Sequence, residues 1–80
     1  MAPPPKPTPF SRIRLDYSPL RKRRRELEMS QTALARAIGA NKSTIWRIET
    51  GRTVPSALQQ VILARALGTP VHLLYFVHDE

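Results

Sequence analysis

The sequence contains no cysteine, only three glycines and only two histidines. Without cysteine, neither a disulfide framework nor a thiolate metal site can form. His72 and His78 lack partners at metal-binding spacing, so we expect both to be surface residues. No Ser-His-Asp arrangement and no glycine-rich phosphate loop is present. We therefore expect no metal, no cofactor and no catalytic activity.

Long apolar runs are also absent. The longest, residues 71–77, is interrupted by His72 and is far too short to cross a bilayer. The first residues lack the apolar core of a signal peptide. A chain of 80 residues is enough for one small domain. We expect a single cytoplasmic domain with no membrane partner.

Proline and positive charge are abundant instead. Five of the eight prolines fall within residues 1–9, and the net charge is +7. Proline-rich sequence favours an extended, solvated chain, so residues 1–17 are predicted to be a largely disordered basic arm and residues 18–80 the folded domain. Within the arm, residues 12–17 alternate as a short strand would. The excess of basic residues predicts a nucleic-acid partner.

Two helices are predicted in the first half of the domain. Ser18 followed by Pro19 is a helix start, because the serine oxygen can accept an amide proton and proline suits the first turn; this helix runs to about Glu28. Ser30 can cap a second helix that ends at Gly39. Its buried face is formed by Leu34, Ala35 and Ile38.

Two more helices follow. Asn41 is a suitable cap for the third, which buries Ile45 and Ile48 and ends at Gly51. Ser56 and Gln59 form a capping box at the start of the fourth, and Gly68 ends it.

The C-terminal segment has two interpretations. Thr69 and Pro70 favour a short fifth helix that reaches Phe76. Residues 71–78 also alternate, so they could instead form a strand that pairs with residues 12–17 or with a second subunit. We favour the helix.

The second and third helices have the spacing of a helix-turn-helix, in which the first helix braces the second. Gly39 permits the tight reversal, and Ala35 allows the two helices to approach closely. The outer face of the third helix then carries four residues at helical spacing: Lys42, Ser43, Trp46 and Arg47.

The sequence resembles the Cro/CI-type (XRE) family of phage repressors and related bacterial regulators over about residues 19–75. The matching motifs are Ser30-Gln31, Leu34-Ala35, Ile38-Gly39, Ser43-Thr44-Ile45, Arg47-Ile48-Glu49, Gly51, Pro55-Ser56 and Ala64-Arg65-Ala66-Leu67-Gly68. The resemblance implies an all-α, compact lambda-repressor-like domain of four to five helices, with a short β element if residues 12–17 and 71–78 pair. It also implies a transcriptional regulator that binds double-stranded DNA, and we expect a repressor of phage, restriction-control or plasmid type.

The same resemblance implies several residue roles. Gln31 would clamp a phosphate and brace the first residues of the third helix. Arg24 would form an ion pair with Glu49, and Arg52 would meet the DNA backbone. The family usually has asparagine at the position of Thr50. The resemblance therefore does not imply that Thr50 contacts the DNA backbone.

Lys42 and Arg47 are the strongest candidates for reading bases, because a cation that reaches guanine O6 and N7 makes the commonest specific contact. Ser43 reaches less far and would touch phosphate or adenine. Asn41 has the same two possibilities, phosphate or adenine, and we assign it, with Thr44, to the phosphate contacts. Trp46 has two interpretations: it stacks on sugar or a thymine methyl, or it folds back over the second helix.

Five consecutive basic residues occupy positions 21–25, in what we predict to be the first turns of the first helix, where cations oppose the helix dipole. Phosphate contacts, chiefly by Arg21 and Arg23, would account for them. A solvated charge run is the alternative.

The fourth helix indicates a way of assembly. In the family pattern Ala57, Val61, Ala64 and Leu67 face the core, which leaves Leu58 and Ile62 on the other side. Together with Leu74, Tyr75 and Phe76 they predict the interface of a homodimer, which would bind a pseudo-palindromic operator. The alternative is that the C-terminal segment covers this stripe within one subunit.

Three functions remain open. The first is a dimeric, sequence-specific DNA-binding repressor. The second is an antitoxin that uses the same DNA-binding core and docks a protein partner, a toxin, through its C-terminal strand and arm; a polymerase subunit is another candidate protein partner for a regulator of this kind. The third is a non-specific basic module that binds RNA or anionic membrane through residues 12–25.

Overall fold

Helices form just over half of residues 13–79, the part of the chain that the computed structural model describes. Residues 1–12, most of the predicted basic arm, lie outside the described residues. The elements in chain order are β1 (Ile13–Asp16), α1 (Ser18–Glu26), α2 (Gln31–Ala37), α3 (Lys42–Glu49), α4 (Ala57–Leu67), a 3₁₀ turn (Val71–Leu73) and β2 (Phe76–Asp79). Within residues 13–79, no helix is long and apolar enough to cross a membrane.

The two ends of the described chain pair with each other. Strands β1 and β2 form an antiparallel ribbon in which Ile13 lies opposite Asp79 and Asp16 opposite Phe76. The prediction of a helix from Thr69 to Phe76 is therefore wrong, apart from a single 3₁₀ turn. The alternative is found: the segment ends in a strand that pairs with residues of the predicted arm. Pairing supplies the backbone hydrogen bonds that a helix would have provided.

The folded unit consequently begins before residue 18, the start predicted from the sequence. Strand β1 belongs to the sheet, and Tyr17, just after it, is a core residue with 1% of its surface exposed. Leu20 donates its backbone N–H to the carbonyl of Leu74 over 3.1 Å, which joins α1 to the C-terminal segment. The residues from 13 onward are thus part of the fold rather than of a disordered arm.

Helix α1 is capped differently from the prediction. Tyr17 occupies the N-cap position, and Oδ1 of Asp16, rather than the hydroxyl of Ser18, accepts the backbone N–H of Ser18 at 2.9 Å. Oδ2 of Asp16 lies 3.2 Å from Nε2 of His78 on the paired strand. Asp16 therefore links the ribbon to the start of α1.

This link makes stability depend on pH. The Ser18 N–H holds the pKa of Asp16 below its ordinary value, and the His78 contact acts in the same direction. A lowered pKa in the folded state contributes stability above the unfolded pKa of about 3.9, and this contribution is lost as pH falls through the folded pKa. We expect Asp16→Ala to lower the free energy of unfolding at pH 7 by less than about 1 kcal/mol, because the carboxylate is partly exposed.

Urea denaturation at pH 7 and at pH 3 measures this effect, with Asp79→Ala on the same ribbon as the control. The difference between wild type and Asp16→Ala should shrink at the lower pH. An equal difference at both pH values would show that the carboxylate charge has no part in it.

The other helices begin and end close to where their local signals predict. Oγ of Ser30 accepts the N–H of Ala33 at 2.9 Å, and Ser56 with Gln59 forms the predicted capping box. Gly68 adopts a left-handed conformation with φ of 60° at the end of α4. Asn41 stands at the N-cap of α3, but its side chain makes no capping bond.

The core lies between the helices and the C-terminal segment. Its largest fully buried side chains are Tyr17, Leu20, Leu34, Ile45, Ile48, Leu63, Leu67 and Leu74. On α4 the prediction is partly wrong: Leu63 is in the core, whereas Ala57 is exposed and Val61 is 41% exposed. Residues 63, 64 and 67 form the buried face, because the helix is rotated relative to the family-based expectation.

Tyr17 carries a buried hydroxyl that has no hydrogen-bond partner among the described residues. Its ring packs on Tyr75 with centroids 5.5 Å apart, and burial raises the pKa of its phenol. An unpaired buried polar group costs about 1–3 kcal/mol.

We therefore expect Tyr17→Phe to leave the free energy of unfolding unchanged or to raise it by about 1 kcal/mol. Tyr75→Phe, at the half-buried partner of the same ring pair, is the control. Chemical denaturation of both variants checks this, and a clear loss of stability in Tyr17→Phe alone would reveal a partner for the hydroxyl.

Candidate nucleic-acid interface

Helices α2 and α3 are joined by a tight turn. Gly39 has a φ of 70°, in the left-handed region where glycine is favoured, and the N–H of Ala40 is bonded to the carbonyl of Ala35 at 2.8 Å. Buried side chains from both helices, among them Leu34 and Ile45, pack beneath the turn. The reversal and the shared core fix the angle at which α3 is presented.

The outer face of α3 is open to solvent, as predicted. Its exposed residues are Lys42, Ser43, Trp46 and Arg47, and Thr44 is half-buried beside them. The exposed side chain of Asn41 precedes the helix and is not used as a cap. Two cations and several short polar groups are therefore available on one side of a short helix.

A buried ion pair holds the C-terminal end of α3. Nε and Nη2 of Arg24 donate to the two carboxylate oxygens of Glu49 at 2.7 and 2.9 Å, and Nη1 donates to the carbonyl of Met29 at 2.8 Å. The hydrogen bond to Glu49 raises the pKa of Arg24, so this cation stays charged. The pair that the resemblance implies is formed, and it ties α1 to the end of α3.

Gln31 lies at the same end of α3. Its Nε2 donates to Oε1 of Glu49 at 3.2 Å. The observed bond therefore braces the last residue of α3, whereas the resemblance implied a brace on its first residues. Nε of the half-exposed Arg21 is 3.9 Å from Oε1 of Glu49, so two cations and one amide surround this carboxylate.

The run of basic residues at positions 21–25 divides by helical geometry. Arg24 is buried, Arg21 and Arg25 are exposed, and Arg23 is half-buried. Because α1 begins at Ser18 and ends at Glu26, residues 23–25 lie in its last turn, where the helix dipole stabilises positive charge. The predicted conflict with the dipole is therefore wrong for these three residues.

Arg23 is engaged within the protein. Its Nε donates to the carbonyl of Leu67 at 2.9 Å, and its Nη1 lies 3.5 Å from the carboxylate of Glu26. The bond to Leu67 joins α1 to the end of α4, and the contact with Glu26 lies within α1. A phosphate contact by Arg23, which we predicted, would have to compete with them.

Trp46 contacts Arg52 in the free protein, and both of its interpretations stay predictions. Its ring is 43% exposed, and the guanidinium carbon of Arg52 lies 4.8 Å from the ring centroid. Thr50, where the family usually has asparagine, donates its hydroxyl back to the carbonyl of Trp46 at 2.7 Å. Trp46 and Arg52 are both predicted site residues, but their contact is not predicted from the sequence. The available signal is an aromatic residue six positions before an arginine, with a helix-ending glycine between them.

The predicted dimer residues are separated by the structure. Leu58 is 69% exposed and Ile62 half-buried on α4, with Val61 exposed beside them. Leu74 is completely buried in the core, so its assignment to a dimer interface is wrong. Tyr75 packs against Tyr17, and the exposed Phe76 lines a groove with Leu73 and one side of α1 along its whole length.

Comparison with known proteins agrees with this geometry. Residues 19–74 match the sequence profile described as a helix-turn-helix domain. An uncharacterized HTH-type transcriptional regulator of Methanothermobacter thermautotrophicus is 38% identical over 61 residues, which cover 76% of this chain and 88% of the relative.

A similar solved structure is a crystal structure of the transcriptional regulator VanUg. It superposes with a TM-score of 0.76 at 21% identity and covers 95% of this chain and 100% of its own. At this level of identity the likeness concerns the fold. The profile match and the relative at 38% identity show the family: the chain belongs to the helix-turn-helix domain family, whose motif binds DNA and carries out no catalysis.

Proposed function

We propose that this protein is a sequence-specific regulator of transcription that reads the major groove of double-stranded DNA with α3. The observation that carries the proposal is the exposed outer face of α3. The buried side chains that α3 shares with α2 fix the angle between the two helices. The relative at 38% identity is an HTH-type transcriptional regulator, which supports the regulatory role.

Within this function, Lys42 and Arg47 read guanine and Ser43 contacts a neighbouring base or phosphate. Asn41 and Thr44, at the start of α3, bind phosphates, because amide and hydroxyl groups are common donors to phosphate oxygens. The exposed side of α1, with Arg21, adds contacts to the DNA backbone. The side-chain amide nitrogen of Gln31, Nε2, has two N–H donors. One is bonded to Glu49, and the other would bind a phosphate.

We further propose that the protein represses transcription as a homodimer. Leu58, Val61 and Ile62 are spaced as neighbours on one side of α4, and two of the three are well exposed. A self-complementary stripe of this kind suits a two-fold interface. The dimer would place two copies of α3 on half-sites about 34–36 Å apart in a pseudo-palindromic operator.

Selection of binding sites from random duplex DNA tests the function. We expect an enriched inverted repeat with guanine in each half-site. Enrichment of no sequence would contradict specific recognition and would favour a non-specific basic module. A reporter promoter that carries the selected site then tests repression, because a repressor lowers its output and an activator raises it.

Sedimentation equilibrium of Leu58→Glu tests the dimer. The same change at the exposed Leu73, which lies outside the α4 stripe, is the matched control. We expect wild type and Leu73→Glu to be dimeric and Leu58→Glu to be monomeric. A monomeric wild type, or a dimeric Leu58→Glu, would contradict the proposed interface.

A further inference from the structure

The chain folds back on itself immediately after α3. Gly51 has a φ of 76°, and the backbone N–H groups of Arg52 and Thr53 both point to the carbonyl of Arg47, at 2.8 and 3.3 Å. This reversal directs the side chain of Arg52 back along α3. Its guanidinium consequently lies over the ring of Trp46, 4.8 Å from the centroid, instead of extending away from the helix end.

Such a stack restricts an otherwise flexible side chain. The ring attracts the cation through its face, and the planar guanidinium keeps its N–H donors at its edge. Arg52 can therefore remain on the ring and still donate to an oxygen that approaches in the guanidinium plane. Holding the cation in place before binding reduces the conformational entropy lost on binding.

We propose that Trp46 is a positioning residue whose ring holds Arg52 ready to contact a DNA phosphate, and that Trp46 itself reads no base. This inference rests on the proposed DNA-binding function. The covered face of the ring is occupied by Arg52, and Arg52 lies beyond the C-terminal end of α3. Recognition helices of this motif contact bases mainly with their N-terminal residues, so a cation at the other end faces the backbone.

A double-mutant cycle tests the coupling. Binding of a labelled duplex is measured across a range of salt concentrations for Trp46→Ala, Arg52→Ala and the double variant. We expect Trp46→Ala to weaken binding when Arg52 is present and to have no further effect when it is absent. The slope of log K against log salt should fall by about 0.9 in Arg52→Ala and move toward that value in Trp46→Ala.

Two further variants separate positioning from base reading. Trp46→Phe keeps an aromatic face and should restore most of the binding, whereas Trp46→Leu keeps only apolar bulk and should not. Base preference in site selection should be the same in Trp46→Ala and wild type. A lost preference at one base position, or losses that multiply in the double variant, would overturn the inference.

The stack can also be observed without DNA. The side-chain Nε–H resonance of Arg52 should be displaced upfield by the Trp46 ring, remain so in Trp46→Phe and return to its ordinary position in Trp46→Ala. An undisplaced resonance in wild type would overturn the inference directly. Both side chains are exposed, so melting temperatures should stay close to wild type and report any misfolding.

The test also separates this inference from the proposed function. A phosphate contact does not depend on sequence, so the cycle is run on both a selected and an unrelated duplex. Coupling on both duplexes without any selected motif would retain the Trp46–Arg52 pair and contradict specific recognition. A selected motif without coupling would retain recognition and contradict the pair.

Discussion

Replacing Arg47 with alanine is expected to weaken binding to the selected site about 5- to 150-fold, the equivalent of about 1–3 kcal/mol for one bidentate contact to guanine. The side chain is exposed in the last turn of α3, and no ion pair of Arg47 is found within the described residues. Its loss should leave the fold intact. In a site selection, Arg47→Ala should lose preference at one base position in each half-site.

The control for this prediction is Arg65→Ala, which removes the same charge from an exposed position on α4. Both variants lose one cation, so any difference between them in base preference comes from position rather than from net charge. If Arg47→Ala weakens binding to all duplexes alike, Arg47 contacts phosphate and the reading of guanine falls to Lys42.

Local signals were sufficient to predict most helix ends. Ser30, the capping box of Ser56 with Gln59, and Gly68 all act on backbone groups within a few residues of themselves. The sequence around each of these residues is therefore enough to predict the helix end. The helix-turn-helix was recognised for the same reason, since its turn and both of its buried faces lie within about 20 residues.

Pairing between distant segments was harder to predict. The pattern of residues in β2 fits either a helix or a strand, and the residues of β1 that pair with it lie 60 to 66 positions earlier. The position of Leu74 in the core follows from this pairing and from the contact of its carbonyl with Leu20. No local signal distinguishes this arrangement from a dimer interface that uses the same apolar residues.

The basic run at positions 21–25 illustrates the same limit within the candidate site. Five consecutive cations look equivalent in the sequence, yet helical geometry buries Arg24 and exposes its neighbours. The Arg24–Glu49 pair was predicted only through resemblance to a family. The contacts of Arg23 with Leu67 and of Arg52 with Trp46 depend on where α4 and the turn after α3 are placed in three dimensions.

The largest effect on stability is expected at the buried ion pair. Arg24→Met leaves the carboxylate of Glu49 buried, with Gln31 as its nearest hydrogen-bond donor and the half-exposed Arg21 at 3.9 Å. Breaking such a pair from one side costs about 3–5 kcal/mol, because the remaining charge is uncompensated. Small domains have about 5–15 kcal/mol in total. Arg24→Met should therefore be close to unfolding at 37 °C, which thermal and urea denaturation would measure.

A complete cycle shows whether the cost comes from the orphaned charge or from lost packing. Glu49→Leu alone should also be strongly destabilised, whereas the double variant Arg24→Met with Glu49→Leu should be more stable than either single variant, because no charge is left buried. Arg25→Met, at the exposed neighbouring position, is the control and should stay within about 0.5 kcal/mol of wild type. If the two single losses simply add in the double variant, the pair acts through packing. If they do not add, the cost comes from the charge left without its partner, and the ion pair itself stabilises the contact between α1 and the end of α3.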